Sequence, residues 1–224
     1  MDRAEEGFHP PVEEYLEAVH ALKEQGTPVI QARLAERLGR SAPSVSEMVD
    51  RLADEGYVRR DGRTVELTPK GSALAAKVVR KHRLAERLLV DIIGLEWHKV
   101  HEEAGRWEHV ISDDVEARLV ILLGDPATCP HGNPIPGSTT APSEEVQRPL
   151  AEVTPGTRVR LERISEEVEI DMRSLVYLDE HGFTPGATAL VTSRAPDGTL
   201  VLEVGASTVA FGSELSRRLY VAVA

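Results

Sequence analysis

Cysteine is nearly absent from this 224-residue chain: Cys129 stands alone, so no intramolecular disulfide can staple the fold. That usage fits a reducing cytoplasm. No apolar run approaches the roughly 20 residues that a membrane-crossing helix needs. The opening MDRAEEGFHPP is acidic and lacks the basic and apolar regions of a signal peptide. The expectation is a soluble cytoplasmic protein with no membrane partner. Positive charge is scarce too, with 26 Lys+Arg against 37 Asp+Glu and a net charge of −11. A non-specific coat for nucleic acid is usually strongly basic, so the charge argues against that class, though not against a local DNA-reading surface. Residues 31–63 gather 7 Arg against 6 acids, which is where such a surface would lie. Enzyme signatures are missing as well. There is no nucleophile elbow and no phosphate-cradling glycine loop. The nearest approach to H-E-x-x-H is His101-Glu102, with Gly105 where the second histidine belongs.

What is present is 41% hydrophobic residues, enough to bury cores in two or three small domains. After His9 and two prolines, VEEYLEAVHALKEQG places Tyr15, Leu16, Val19 and Leu22 on one helical face and stops at Gly26. A short helix follows with Leu34 and Leu38 inward. Ser41 then caps a longer one carrying Val45, Met48, Val49 and Leu52. YVRRDGRTVELTPKG alternates around Asp61-Gly62, a strong hairpin signal. Helix, short helix, longer helix and two-stranded wing is the order of a winged helix-turn-helix, whose second paired helix enters the DNA major groove. Ser41, Pro43, Ser44 and Ser46 then fall near bases or phosphates, with Arg51 further along. Gln31 and Arg40 at the ends of the short helix, and Arg59, Arg60 and Arg63 on the wing, are placed to hold phosphates. The plainer alternative is that the serines only cap and the arginines only solvate.

The stretch Lys81–His109 concentrates the remaining chemistry. His82 and Glu86 are four apart on one helical face, an arrangement that on its own is often just a surface pair. In the next helix His101, Gly105, Glu108 and His109 fall at i, i+4, i+7 and i+8 as one continuous polar stripe. Beside it runs the apolar Val100, Ala104, Trp107 and Ile111, which suits a core. Imidazole and carboxylate beside a buried face is where a divalent metal can be held. His98 has no matching role and reads as a surface residue. A third helix follows Ser112-Asp113-Asp114. Three helices rich in Leu, Val and Ile cannot bury all their faces alone, which points to a homodimer.

Asp125 to about Glu152 is dense in Pro, Gly, Ser and Thr and reads as a linker. Beyond it, GTRVRLERI, GATALVTSR, TLVLEV and RLYVAV are strand-like, with a hairpin turn at Pro196-Asp197-Gly198 and an interposed helix, DMRSLVYLDEHG. The fold class is mainly α with a small β domain. Its expected parts are a winged helix-turn-helix over 1–73, a helical metal-binding and dimerisation domain over 74–140, a linker over 141–152 and an SH3-like β-barrel over 153–224.

RKHRLAERLLVDIIGL, KVHEEAGRWEHVISDDVEARLV and HGNPIPG, in that order and spacing, resemble the diphtheria-toxin-repressor family of iron- and manganese-dependent transcriptional repressors. The resemblance implies a dimeric repressor that binds a palindromic double-stranded operator when two metal sites per subunit are filled. It places His82, Glu86 and His101 in an ancillary site and Glu108 and His109 in an activating one. From the first helix it adds Glu14 to the activating site, and Glu17 as the further carboxylate of the manganese branch. Cys129 and His131 match an ancillary contribution in some manganese-responsive members, and Asp171 is the expected barrel carboxylate.

One departure bears on the metal. Iron-responsive members resemble one another in having methionine at the Glu14 position and cysteine at the Gly105 position, whereas manganese-responsive members have acids at both. Here the first position is a carboxylate and Gly105 has no side chain. Oxygen and imidazole donors without thiolate favour Mn²⁺, with Fe²⁺ next and Co²⁺, Zn²⁺ or Cd²⁺ as substitutes, the last group helped at the ancillary site by Cys129. The competing functions are a metal-independent winged-helix regulator that answers a small ligand, and a metalloenzyme using the same His/Glu/Cys set.

Overall fold

A computed structural model describes residues 10–142 and 145–224; His9, and Ser143 and Glu144 of the expected linker, lie outside the described residues. The chain divides into two compact units. One comprises the chain up to His82 together with Arg106–Asp113, and the other Arg83–Gly105 with Asp114–Ala224.

In the first unit α1 (Pro10–Glu24) starts on two prolines, whose missing N–H groups cost nothing in a first helical turn. Its 3.6-residue spacing buries Val12, Tyr15, Leu16, Val19 and Leu22. They pack with Leu34 of α2 (Gln31–Leu38), with Val45, Val49 and Leu52 of α3 (Ala42–Asp54), and with Val58 and Val65 of the wing. Each fully buried side chain of this size is worth about 1.5–3 kcal/mol of transfer free energy. The reading pair α2–α3 therefore rests directly on α1. The wing is β1 (Val58–Asp61) against β2 (Thr64–Leu67), and the Val65 N–H bonds to the Val29 carbonyl at 2.9 Å, fastening it ahead of α2. The hairpin loop is Gly62-Arg63, one residue later than expected, because Asp61 pairs with Thr64 as the last strand position. Gly62 then takes the first loop position at φ +59, the left-handed conformation that a two-residue hairpin with glycine first requires.

α4 (Pro69–Arg87) contributes residues to both units and runs on as a π-helical stretch, Leu88–Ile93, to Gly94. The expected stripe through His109 is cut, because α5 (Val100–Trp107) ends before Glu108. The N–H groups of Val110 and Ile111 both reach the Trp107 carbonyl, at 2.9 and 3.2 Å, and turn the chain toward α6 (Asp113–Leu123). A helix continued through His109 would leave only three residues for that reversal. His101 thus falls in the second unit, while Glu108 and His109 fall in the first.

The second unit also holds a six-stranded antiparallel sheet ordered β3-β8-β4-β5-β6-β7. Its strands are β3 (Arg148–Pro149), β4 (Arg158–Ile164), β5 (Thr188–Arg194), β6 (Leu200–Val204), β7 (Ser207–Phe211) and β8 (Leu219–Val223). Short helices α7 (Glu166–Glu169), α8 (Met172–Glu180) and α9 (Ser213–Arg218) are interposed. Inward residues of the strands and α8, among them Val159, Leu161, Leu175, Leu178, Val191 and Phe211, form one core, and Trp97 packs against it. β7 was not anticipated; it pairs with β6 across a two-residue loop and buries Val209 and Phe211. Val115, Ile121 and Leu122 on α6, and Ile92 and Ile93 after α4, are exposed apolar side chains of this unit. Among the described residues no helix is long and apolar enough to cross a membrane.

Candidate metal centres

Each unit assembles its own cluster of imidazoles and carboxylates. In the first, Glu17 comes from α1, His82 from α4 and Glu108 from the turn after α5. One ligand atom from each lies within 4.8 Å of the others. His82 and Glu108 are buried, with His82 Nδ1 2.5 Å from Glu108 Oε2. His109 joins through Nε2, 3.1 Å from Glu108 Oε1, and its Nδ1 is 2.6 Å from Glu13 Oε2. The bond to Glu13 raises the His109 pKa above the usual imidazole value against the opposing effect of burial, and the charges of Glu108, Glu13 and Glu17 add to the rise. Lys77 and Lys81 hold Asp113 at 2.8 and 3.1 Å and lower its carboxyl pKa, which pins the start of α6 beside this cluster's α4 segment.

In the second unit His101 Nδ1 lies 3.2 Å from Glu86 Oε1 and 3.0 Å from Glu169 Oε2. His131 Nδ1 is 3.2 Å from the same Glu86 oxygen, and Cys129 completes a buried Glu86–Cys129–His131 group. Burial alone would raise the Glu169 pKa, but the charge of His131 and the hydrogen bond from His101 bring it below the ordinary carboxylate range. Burial, with Glu86 and Glu169 close by, holds the Cys129 thiol pKa well above its usual value. Asn133 Nδ2 donates to Glu169 Oε1 at 2.5 Å, Arg83 pairs with Glu166 at 3.1 Å, and the Trp97 ring lies 4.7 Å from that of His131. Gly132 makes the approach possible. It sits at φ +88 against β4, and a Cβ there would lie 2.0 Å from the Glu162 carbonyl oxygen, where the β4 register shifts. His131 Nε2 is fully buried and makes no hydrogen bond among the described residues. A buried nitrogen lone pair of that kind fits a metal ligand, as do the N, O and S donors around it.

Glu17, His82, Glu108 and His109 are thus gathered in one cluster and Glu86, His101, Cys129 and His131 in the other. His82, expected with Glu86 and His101, precedes Glu86 by one turn of α4 and, within its own unit, faces Glu108 and Glu17. Glu14 is not brought in. It is 41% exposed and faces Arg40 at 3.8 Å, because α1 turns its neighbour Glu13 to His109 instead. Asp171 is likewise elsewhere: it caps α8, accepting from the Arg173 N–H at 3.2 Å and the Ser174 hydroxyl at 2.6 Å. Glu169, two residues earlier and buried, takes the place expected for it. His98 also has a partner, Asp179 Oδ2 at 2.6 Å.

On the reading pair, Ser41 caps α3 by accepting from the Ser44 N–H at 3.4 Å. Pro43 and Ser44 are exposed, and Ser46 is half-buried. Arg51 pairs with Glu55 at 2.7 Å, Arg59 with Glu66 at 2.5 Å and Arg60 with Asp50 at 2.6 Å. Gln31, Arg60 and Arg63 line a pocket of about 330 Å³ at the foot of the wing.

Residues 8–64 match the iron dependent repressor N-terminal DNA binding domain, and 68–137 the metal binding and dimerisation domain of the same repressors. Residues 148–223 match the FeoA domain. The iron-dependent repressor IdeR of Mycobacterium leprae is 40% identical over 220 residues, covering 93% of this chain and 95% of that protein. The chain belongs to the diphtheria-toxin-repressor family. The diphtheria toxin repressor of Corynebacterium diphtheriae is 54% identical over 126 residues, 56% of either chain. Among solved structures, a manganese-dependent transcriptional repressor in complex with manganese superposes with a TM-score of 0.85 at 32% identity, covering 95% of this chain and 100% of that one. ScaR with bound Zn²⁺ gives 0.79 at 30% identity, covering 95% and 99%. Family membership makes this chain a metal-dependent, DNA-binding transcriptional repressor with a dimerisation domain, not an enzyme. The observed architecture agrees with the expected one: a winged helix-turn-helix, a helical middle and a C-terminal SH3-like β domain.

Proposed function

We propose that this repressor is switched to operator binding in the cytoplasm by Mn²⁺, with Fe²⁺ as the alternative activator, through the cluster on α1, α4 and the Glu108–His109 turn. The observation that carries the reading is the convergence of Glu17, His82 and Glu108 to within 4.8 Å, with His109 beside them. A bound divalent cation supplies positive charge that offsets carboxylates otherwise repelling one another. Glu17 connects the cluster to the helix whose other face packs on α2 and α3, so holding Glu17 holds the reading pair. Glu108 and His109 connect it to the chain entering α6.

The all-oxygen-and-nitrogen donor set favours Mn²⁺. The iron-dependent names of the IdeR sequences that this chain resembles are what keep Fe²⁺ in contention. Glu86, His101, Glu169, Cys129 and His131 form the ancillary site, where Zn²⁺, Co²⁺ or Cd²⁺ can replace Mn²⁺ because of the thiol. The exposed face of Val115, Ile121 and Leu122 is covered by a second copy. The paired reading heads then meet a palindrome with half-sites one or more turns apart, about 34–36 Å per turn. The modules run 1–73, 74–140 and 153–224, joined by a linker over 141–152. Gln31, Arg40, Ser44, Ser46, Arg60 and Arg63 contact the operator, with Ser41 and Pro43 shaping the helix entry and Arg51 further along.

Selecting bound duplexes from a random-sequence library in Mn²⁺ is expected to yield a palindrome. Its affinity is then measured with Mn²⁺ and in chelator. By linkage, metal and operator strengthen each other reciprocally. Equal affinity in both conditions would sink the reading.

A further inference from the structure

We propose that Glu13 is the positioning residue for His109: it accepts the Nδ1–H and so leaves Nε2 to serve the metal cluster. The inference rests on reading that cluster as a metal site. An ionised carboxylate has no proton to give, so in the 2.6 Å contact between Glu13 Oε2 and His109 Nδ1 the hydrogen is on the ring. A ring so engaged has one nitrogen left to offer a lone pair. That nitrogen, Nε2, already lies 3.1 Å from Glu108 Oε1, on the cluster side. Metal-bound histidines generally donate their second N–H to a carboxylate or carbonyl, which fixes the tautomer and the ring plane.

Two further observations give Glu13 this work. Gly105, four residues ahead of His109 in the sequence, has no side chain, and a Cβ there would meet nothing within 4 Å among the described residues. Glu14, the neighbouring acid, faces Arg40 and does not replace Glu13. The pair is also shielded, with side-chain exposures of 10% for His109 and 22% for Glu13. It is therefore more than the solvated ion pair that counts for little at a surface.

The test uses the full-length protein, ¹⁵N-labelled at histidine and loaded with ¹¹³Cd²⁺, with His109 assigned by comparison with His109→Gln. Scalar coupling of cadmium to His109 Nε2, with Nδ1 still protonated, is the expected spectrum. Glu13→Ala is expected to bind Cd²⁺ at this cluster about 10–100-fold more weakly. Glu13→Gln keeps an acceptor oxygen and is expected to recover most of that loss with the Nε2 coupling intact. Should Glu13→Ala fail to fold, the wild-type and Glu13→Gln spectra decide alone. Coupling to Nδ1, or wild-type affinity in Glu13→Ala, overturns the inference and leaves the metal reading standing. Wild-type protein that takes up no Cd²⁺ lost by His82→Ala with Glu108→Ala overturns both.

Discussion

Replacing Gly132 by alanine is expected to unseat the 129–133 segment from β4 and remove one metal cluster while sparing the other. The new Cβ would lie 2.0 Å from the Glu162 carbonyl oxygen and 2.7 Å from the Arg163 Cα, both backbone atoms with no rotamer to escape by. A left-handed φ of +88 adds about 1–2 kcal/mol for any residue with a Cβ. Forcing extra volume into a packed contact adds about 1–3 kcal/mol. The expected destabilisation is therefore about 2–5 kcal/mol. Relief requires the 129–133 segment to move off β4, breaking the Ile164 N–H bond to the His131 carbonyl and the Asn133 bond to the Ile164 carbonyl, both 3.0 Å. His131 and Cys129 then leave Glu86. Trp97, packed on the barrel core and against His131, reports on this unit once Trp107, the other tryptophan, is changed to phenylalanine. Urea unfolding followed by Trp97 fluorescence measures the loss, and a Cd²⁺ titration counts the sites. An unshifted midpoint with both sites retained would refute the steric argument.

Glu169→Gln is expected to abolish Cd²⁺ binding at the second cluster. Asp171→Ala should leave it intact and cost only the α8 cap, about 0.5–2 kcal/mol by thermal unfolding. His109 titrates above its unfolded value, so its contribution to the metal-free protein is fully present below the unfolded pKa of about 6.5 and lost as pH rises through the folded one. Urea midpoints in chelator at about pH 6 and about pH 8 are thus expected to fall more for wild type than for His109→Gln. A parallel fall would show that the ring's partners do not matter. Arg63→Ala is expected to weaken operator binding evenly across sequences and to reduce the salt-dependence slope by about 1. A loss confined to one base position would make Arg63 a base reader instead.

Much of the architecture was legible because periodicity reports burial directly. Tyr15, Leu16, Val19 and Leu22 were a stripe on paper and are a core in the fold. The wing was legible from Asp61-Gly62, one residue out of register, because dipeptide chemistry says that a hairpin turns but not which residue pairs last. β7 was missed although Val209 and Phe211 alternate, because SerThrValAlaPhe is short and weakly apolar between its turns. Spacing alone joined only donors on one helix; the donors brought together from separate elements came from the family resemblance. His82 and Glu86 share α4, whereas Glu169 comes from a four-residue helix in a run of acids, EEVEID, where spacing cannot say which acid is buried. Glu13 had a signal that went unused. It precedes Glu17 by four residues, so the two share a face of α1 that Glu14 does not. The division of the His101–His109 stripe was hidden for a different reason: local pattern favoured a continuous helix, and the turn into α6 overrode it.

The two clusters differ in a way that bears on how one protein distinguishes cations. In both, buried or half-buried acids already face imidazoles: His82 on Glu108, His109 on Glu13 and Glu108, and His101 and His131 on Glu86 and Glu169. If the clusters bind cations as proposed, the ligand atoms must be free of protons when they coordinate, so affinity is expected to rise with pH and uptake to release acid. Beyond that they diverge. The α1 cluster offers only oxygen and nitrogen, which leaves discrimination among divalent ions to geometry and supply. The second cluster adds a thiol whose pKa is raised by burial and by Glu86 and Glu169. Only a cation with enough affinity for sulfur to displace that proton gains from Cys129; for a harder ion the thiol stays protonated and the site is a nitrogen–oxygen one. On the proposed reading, any soft-ion preference is expected only in the unit that carries the SH3-like domain. The unit that carries the DNA-reading helices is then expected to answer to ions that need no sulfur.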